Sequence, residues 1–215
     1  MNQNIDTKTN RPKIILDLAG GTGGWSRPYS EAGYVVRLIT LPNNDARLFP
    51  SQPSESPRLP SEFNDIAEYI GNVYGVLVAP VCTCFSGSGA CHPRSDEQIL
   101  EGLSLVDACL RIIQTVKPKF WAMENPVGKL RKWIGPPKMN FHPCDYAGYL
   151  ENPASDLYTK RTLLWGEFKE PEKKWLYPVD GTKLNLMYGG KSARTKEARS
   201  ITPQGFAQAF YLANQ

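Results

Sequence analysis

Three short segments carry side chains able to form, polarise or break bonds. The first is Pro80-Val81-Cys82-Thr83-Cys84-Phe85-Ser86, which sets a thiol behind an apolar run, among small and hydroxyl residues. Cys82 has three readings. It can be a buried structural cysteine. It can be a zinc ligand with Cys84, Cys91 and His92, although their spacing lacks the paired two-residue gaps of common zinc folds. It can be a nucleophile, which requires an activating environment and an acid partner. The second segment, Met123-Glu124-Asn125-Pro126, offers that acid. In an open loop Glu124 would only be solvated. In a cleft beside a thiol and an aromatic base, burial would keep it protonated and able to donate to a ring nitrogen. The third segment, Asp17-Leu18-Ala19-Gly20-Gly21-Thr22-Gly23-Gly24-Trp25, is a glycine cluster between an apolar run and a predicted helix. Glycines there allow positive φ and close approach of a ligand to the backbone. The cluster lacks the third glycine of a dinucleotide fingerprint and the Lys-Ser/Thr pair of a phosphate loop. A nucleoside-type cofactor turn is preferred to a plain tight turn.

Two further segments are weaker. Gly189-Gly190-Lys191-Ser192 would need glycine at Asn185 to make a phosphate loop, so it reads as a basic loop facing solvent or nucleic-acid phosphate. Thr159-Lys160-Arg161-Thr162 places cations ahead of an apolar strand.

The elements that must hold these groups follow from periodicity. Apolar runs predict strands at 13–18, 35–40, 74–81 and 120–123. Helices are expected near 26–32, where Pro28 suits the first turn, and over 61–71 with Ser61 as cap. The clearest helix is 96–115, where Ile99, Leu100, Leu103, Val106, Leu110 and Ile113 recur at helical spacing and Pro118 closes the run. Beyond Lys129 come a basic patch (Lys129, Arg131, Lys132, Lys138), a strand at 162–168 and a terminal helix at 201–214 started by Thr202-Pro203. Residues 1–12 read as a disordered tail, and the prolines of 42–62 as a surface insertion. Alternating strands and helices predict an α/β fold, a doubly wound and mostly parallel sheet with helices on both faces. Ligands of such sheets sit beyond the carboxyl ends of strands. Asp17, Cys82 and Glu124 each fall where a predicted strand stops.

Composition narrows the class. The 215 residues are 41% hydrophobic and 21% charged, ordinary for a globular chain. No apolar run reaches transmembrane length, and the polar start lacks the core of a secretory signal. Five cysteines, an odd number, do not make a disulfide framework, so a soluble protein of a reducing, cytoplasmic compartment is expected. The formal charge of +4 permits a polyanionic partner without requiring one.

Taken in order, these segments resemble the DNA cytosine-C5 methyltransferase family, in the style of its compact phage and prophage members. The glycine segment is similar to that family's AdoMet loop, Asp-Leu-Phe-Ala-Gly-x-Gly-Gly. Residues 80–86 are similar to its Pro-Pro-Cys-Gln-x-Phe-Ser nucleophile loop, with Cys82 rather than Cys84 at the thiol position. Glu124-Asn125-Pro126 resembles Glu-Asn-Val, Arg161 the second arginine of Gln-x-Arg-x-Arg, and Arg199-Ser200-Ile201-Thr202-Pro203 the family's Arg-x-Leu-Thr stretch. The resemblance implies a Rossmann-like methyltransferase domain over 13–215. It implies AdoMet as cofactor, held by Asp17, Ala19, Gly21, Thr22, Gly23, Gly24, Trp25, Asp45 and Pro80, and no metal. Cys82 would attack cytosine C6, Glu124 would act at N3, Asn125 would orient that loop, and Arg161 would contact the base O2 or Glu124. Ser86, Lys129, Arg131, Lys132, Lys160, Lys191 and Arg194 would face duplex DNA.

The chain departs from the family at named places. No acid follows the second strand at Ile39-Thr40-Leu41, and either Asp45 or Asp65 takes the later cofactor-binding position. Ala19 replaces an aromatic, and Thr159 the first arginine. Residues 169–198 are too few for a separate target-recognition domain. Reduced sequence discrimination, a partner subunit or dimer supplying recognition, or a different substrate would each account for that. RNA, a cytosine nucleotide or a modified base is the alternative substrate, and a catalytically silent nucleic-acid-binding partner is the alternative function.

Overall fold

The computed structural model describes residues 4–7, 10–41, 43, 45–48, 71–87, 93–177 and 200–215. Its centre is a six-stranded sheet. The strands, in chain order, are β3 (Ile14–Leu18), β4 (Val35–Ile39), β5 (Val73–Val78), β6 (Phe120–Pro126), β7 (Met139–Phe141) and β8 (Thr162–Glu167). Their spatial order is β4-β3-β5-β6-β8-β7. β4, β3, β5 and β6 run parallel, whereas β8 lies antiparallel between β6 and β7. This is the expected α/β, Rossmann-like, mostly parallel sheet.

Alternation, broken by one register shift at the start of β5, divides the strand residues between two cores. Ile14, Leu16, Leu18, Val76, Val78, Met123, Leu163 and Trp165 face helix α2 (Asp96–Val116), which buries Val106, Cys109, Ile112, Ile113 and Val116 against them. Ile15, Leu77, Ala122 and Leu164 face the opposite layer, where α1 (Arg27–Glu31) and α4 (Gln204–Ala213) bring Tyr29, Phe206 and Phe210. Both faces of the central strands are covered, which is why these strands read as continuous apolar runs.

α2 starts where a capping box predicts. The Ser95 Oγ accepts from Gln98 N at 3.3 Å and the Gln98 Oε1 accepts from Ser95 N at 3.2 Å. The helix ends at Lys117, in the left-handed region ahead of Pro118. Of the apolar face read from its sequence, Leu100 is instead exposed, and Cys109 and Ile112 take the buried positions.

Four expectations need correction. Within the supposed tail, β1 (Ile5–Asp6) and β2 (Arg11–Pro12) pair antiparallel. They are anchored by a hydrogen bond from Asn4 N to Gly33 O and by the Lys119–Asp6 ion pair at 3.2 Å. β5 stops at Val78 rather than at Val81, where its parallel pairing with β6 ends. β6 does not stop at Met123: its antiparallel ladder with β8 continues through Glu124↔Leu164, Asn125↔Leu163 and Pro126↔Thr162. Glu124 is therefore a strand residue. The terminal helix begins at Gln204, after Pro203, rather than at 201. The expected helix over 61–71 and most of the 42–62 and 169–198 segments lie outside the described residues.

Candidate active site

From β3 the chain crosses to β4 on one side and later to β5 on the other, so a switch point lies beyond the carboxyl ends of β3 and β5. The turn after β3 is the glycine segment, and the turn after β5 carries Cys82. Connectivity alone brings them together.

Between them opens a cavity of about 480 Å³, a size ordinary for a cofactor or small-molecule site. Ala19 and Gly21 border it from the glycine turn, Pro80 and Cys82 from the β5 turn, Glu124 from β6, and Lys160 from the segment leading into β8. Ile39, Leu41, Ala46 and Leu105 give it apolar walls, and Asp45 a carboxylate. Three of the expected site segments thus share one space.

The glycine turn is bent by Ala19 (φ 56°), Gly21 (φ 62°) and Gly23 (φ 71°), all in the left-handed region. Ala19 is pinned there by a hydrogen bond from its N to Ile39 O at 2.8 Å. A Cβ built on Gly21 would meet nothing within 4 Å, so the backbone there is open to a ligand. One built on Gly20 would lie 1.8 Å from Asp17 Oδ1. Asp17 is therefore packed beneath the turn, 1% exposed, with its Oδ2 accepting from Ser26 Oγ at 2.5 Å. Its Oδ1 has no partner among the described residues. Burial, opposed by the Ser26 bonds, pushes its carboxyl up to about 6.

Cys82 opens a 3-10 turn (Cys82–Cys84) whose carbonyl accepts from Phe85 N and Ser86 N. Two ties fix this loop to β6 and the chain beyond it. Asn125, fully buried, donates from Nδ2 to Pro80 O at 3.1 Å. Ser86 bridges to Gly128, and Lys129 N donates to Phe85 O at 2.7 Å. Burial raises the Cys82 thiol pKa, the Glu124 charge raises it further, and Lys160 opposes both. Glu124 is likewise raised by burial and lowered by Lys160. Burial thus favours the neutral form of both Glu124 and Cys82, and Lys160 favours the charged form of both.

Other expected site residues lie elsewhere. Trp25 is 1% exposed and packs on Phe206 and Phe210, with ring centroids 5.7 and 5.3 Å away, so it is core and not a cavity wall. Thr22, Gly23 and Gly24 belong to the turn but not to the cavity lining. Arg161 is exposed and donates from Nε to Asn140 Oδ1 at 3.3 Å, while its neighbour Lys160 enters the cavity. Asp45 lines the cavity but is bound by Arg47, whose Nη2 approaches its Oδ2 at 2.6 Å; Arg47 also pairs with Glu101 of α2. Lys129, Arg131 and Lys132 are exposed around α3 (Arg131–Ile134), whereas Lys138 lies over the Phe168 ring at 4.5 Å and donates to Phe168 O. Lys191, Arg194, Asp65, Cys91 and His92 lie outside the described residues. Among the described residues there is no group of three or more His, Cys, Asp and Glu side chains placed to hold a metal. Nor is any helix among them long and apolar enough to cross a membrane.

The sequence reading missed Ala46 and Leu105. Their signal is long-range packing, the 3-10 turn Ala46–Leu48 lying on α2, which no local pattern encodes. No known family model matches the sequence, and no curated protein does. One solved structure similar to the chain is that of a candidate DNA modification methyltransferase encoded within a prophage of E. coli. The TM-score is 0.45 at 16% identity, covering 84% of this chain and 56% of that one. This chain spans little more than half the length of that protein.

Proposed function

We propose that the chain is an AdoMet-dependent methyltransferase acting on C5 of cytosine in DNA, with Cys82 as nucleophile. The observation that carries this reading is the single cavity shared by the glycine turn, the Cys82 sulfur-bearing turn and Glu124. The residues fit the cofactor in two respects. The backbone over Gly21 is open, and Ile39, Leu41 and Leu105 offer an apolar wall for a flat ring. Ala19, Gly21, Asp45 and Pro80 would hold it, with Asp17 supporting the turn from below. Thr40 stands where an acid would hold the ribose, so the hydroxyl contacts on that side rest on fewer charges. When bound, AdoMet supplies an electrophilic methyl group.

The chain's own residues make C5 reactive. The Cys82 thiolate bonds to C6 while the C5=C6 electrons shift through the ring, and Glu124 gives its proton to N3. The ring is then an enamine, nucleophilic at C5. Once C5 carries the methyl group, its proton passes to solvent water, the C5–H electrons restore the C5=C6 double bond as the C6–S bond breaks, Cys82 leaves as thiolate, and N3 returns its proton to Glu124. Asn125 holds the Pro80–Cys82 turn against β6, the strand that carries Glu124. A duplex target must be flipped out, at a cost of a few kcal/mol. Exposed Lys129, Arg131 and Lys132 would offset part of it through phosphate contacts.

The test is transfer of labelled methyl from AdoMet to duplex DNA, tRNA and dCMP, with covalent trapping on 5-fluorocytosine DNA. Incorporation into duplex DNA and a trapped adduct absent in Cys82→Ser are expected. Trapping by Cys82→Ser as efficient as wild type would overturn the nucleophile assignment, and incorporation into tRNA or dCMP alone would overturn the substrate.

A further inference from the structure

We propose that Lys160 is the cation that stabilises the anionic form of the Cys82 sulfur, acting through the thiol as a positioning residue. The proposal rests on the reading of Cys82 as nucleophile. Lys160 lines the cavity together with Cys82 and Glu124, and it is the single cation among the described lining residues, against the carboxylates of Asp45 and Glu124. Asp45 is already neutralised by Arg47.

The placement is seen in the lining. The β6–β8 ladder ends at Pro126↔Thr162. Just ahead of it, Lys160 lines the cavity with Glu124 and Pro126, whereas the adjacent Arg161 is exposed. Thr162 Oγ1 donates to Lys160 O at 3.3 Å, which fixes the backbone at that point, and Arg161 turns out to Asn140.

The charges around the sulfur give this placement its consequence. Burial and the Glu124 carboxylate both disfavour the thiolate, Cys84 in the same turn adds to them, and Lys160 opposes them. Asp45 faces the same cavity, and Arg94 lies on the outer side of the turn, donating from Nε to Thr83 O at 3.0 Å. With Lys160 neutralised, the sulfur would face the Glu124 carboxylate with no cation among the described lining residues to offset it. Lys160 also lowers Glu124, so it favours the charged form of both groups.

The experiment follows iodoacetamide alkylation of the full chain against pH, with the Cys82 peptide quantified by mass spectrometry, in wild type, Lys160→Met, Lys160→Gln, Lys160→Arg and Arg161→Met. Circular dichroism identifies which variants fold. The midpoint for Cys82 is expected to rise by about one pH unit in Lys160→Met and Lys160→Gln, to return in Lys160→Arg, and to stay at the wild-type value in Arg161→Met. A midpoint unchanged in whichever uncharged Lys160 variant folds overturns the proposal, as does an equal rise in Arg161→Met. The readout needs neither cofactor nor nucleic acid. A shifted midpoint in a chain that methylates nothing keeps Lys160 in its role and removes the methyltransferase reading, and the converse result does the reverse.

Discussion

Replacing Asp17 with Asn tests whether the carboxyl under the glycine turn is kept at a cost to the fold. Asp17 is 1% exposed, and its charged form has one hydroxyl donor, Ser26, with no described partner for Oδ1. Burial outweighs that hydrogen bond and raises the carboxyl from 3.8 to about 6. Below 3.8 the group is protonated in both folded and unfolded chains, and no penalty exists. Between 3.8 and 6 the folded chain holds more protons, so stability falls as pH rises through that window. Above 6 the full penalty stands. A rise of about 2 units at 1.36 kcal/mol each gives about 3 kcal/mol as its upper size. Asn keeps the shape and an acceptor for Ser26 but carries no charge. Asp17→Asn is therefore expected to match wild type near pH 4 and to exceed it by up to about 3 kcal/mol at pH 7.5. Urea unfolding from pH 4 to 8 measures this, provided the slope against denaturant is the same in both proteins. The difference between the two cancels other carboxylates, including Asp45, whose Arg47 bond lowers its pKa and so loses stability as pH falls. A pH-independent difference, or an Asn variant less stable than wild type at pH 7.5, would refute the reasoning. Calorimetry with AdoMet completes the test: an Asn variant that is more stable but binds the cofactor less tightly would show why a buried, half-satisfied charge is retained.

Three further substitutions probe the frame of the site. Asn125→Ala removes the bond to Pro80 O and should cost about 1–3 kcal/mol in chemical unfolding, while exposing the Cys82 peptide to faster proteolysis. Gly128→Ala would place a Cβ 1.9 Å from Phe85 O, so the Ser86–Gly128 bridge must open; a loss of about 1–3 kcal/mol is expected, and an unchanged melting temperature would argue against this packing. Trp25→Ala should cost about 3–5 kcal/mol, as for a large aromatic lost from a core. If Trp25 walled the cofactor instead, the loss would fall on AdoMet affinity with stability nearly unchanged.

Much of this molecule is legible in its residues because its central strands are short and buried on both faces. VYGVLV is an almost unbroken apolar run, IILDL is interrupted only by Asp17, and the apolar spacing of α2 gives its ends to within one residue. Direction and length were less legible. Nothing in Thr162–Glu167 distinguishes an antiparallel strand from a parallel one, and β6 continues through Glu124-Asn125-Pro126 only because β8 supplies an antiparallel ladder. The pairing of residues 5–6 with 11–12 depends on contacts to Gly33 and Lys119, which a polar segment does not announce. Trp25 shows the same limit from the other side: its place beside the glycines suggests a ligand wall, and only α4, which starts 179 residues later (204 − 25) in the chain, reveals it as core.

The site itself divides into a part fixed by topology and a part fixed by parity. Because β3 has β4 on one side and β5 on the other, the turns after β3 and β5 must meet, whatever the intervening loops do. Asp17, the glycines and Cys82 are therefore neighbours for any sequence that builds this strand order. The cation is different. It arrives on the segment leading into β8, and a one-residue slip of that segment against β6 would exchange Lys160 for Arg161 in the cavity. The exchange would not be neutral. An ammonium on a flexible stem approaches a sulfur as a point charge, whereas a guanidinium presents a planar fork suited to a carboxylate and would favour Glu124 over Cys82. The acid–thiol balance of this cavity thus depends on the register of one short antiparallel ladder, the element that the local sequence specifies least.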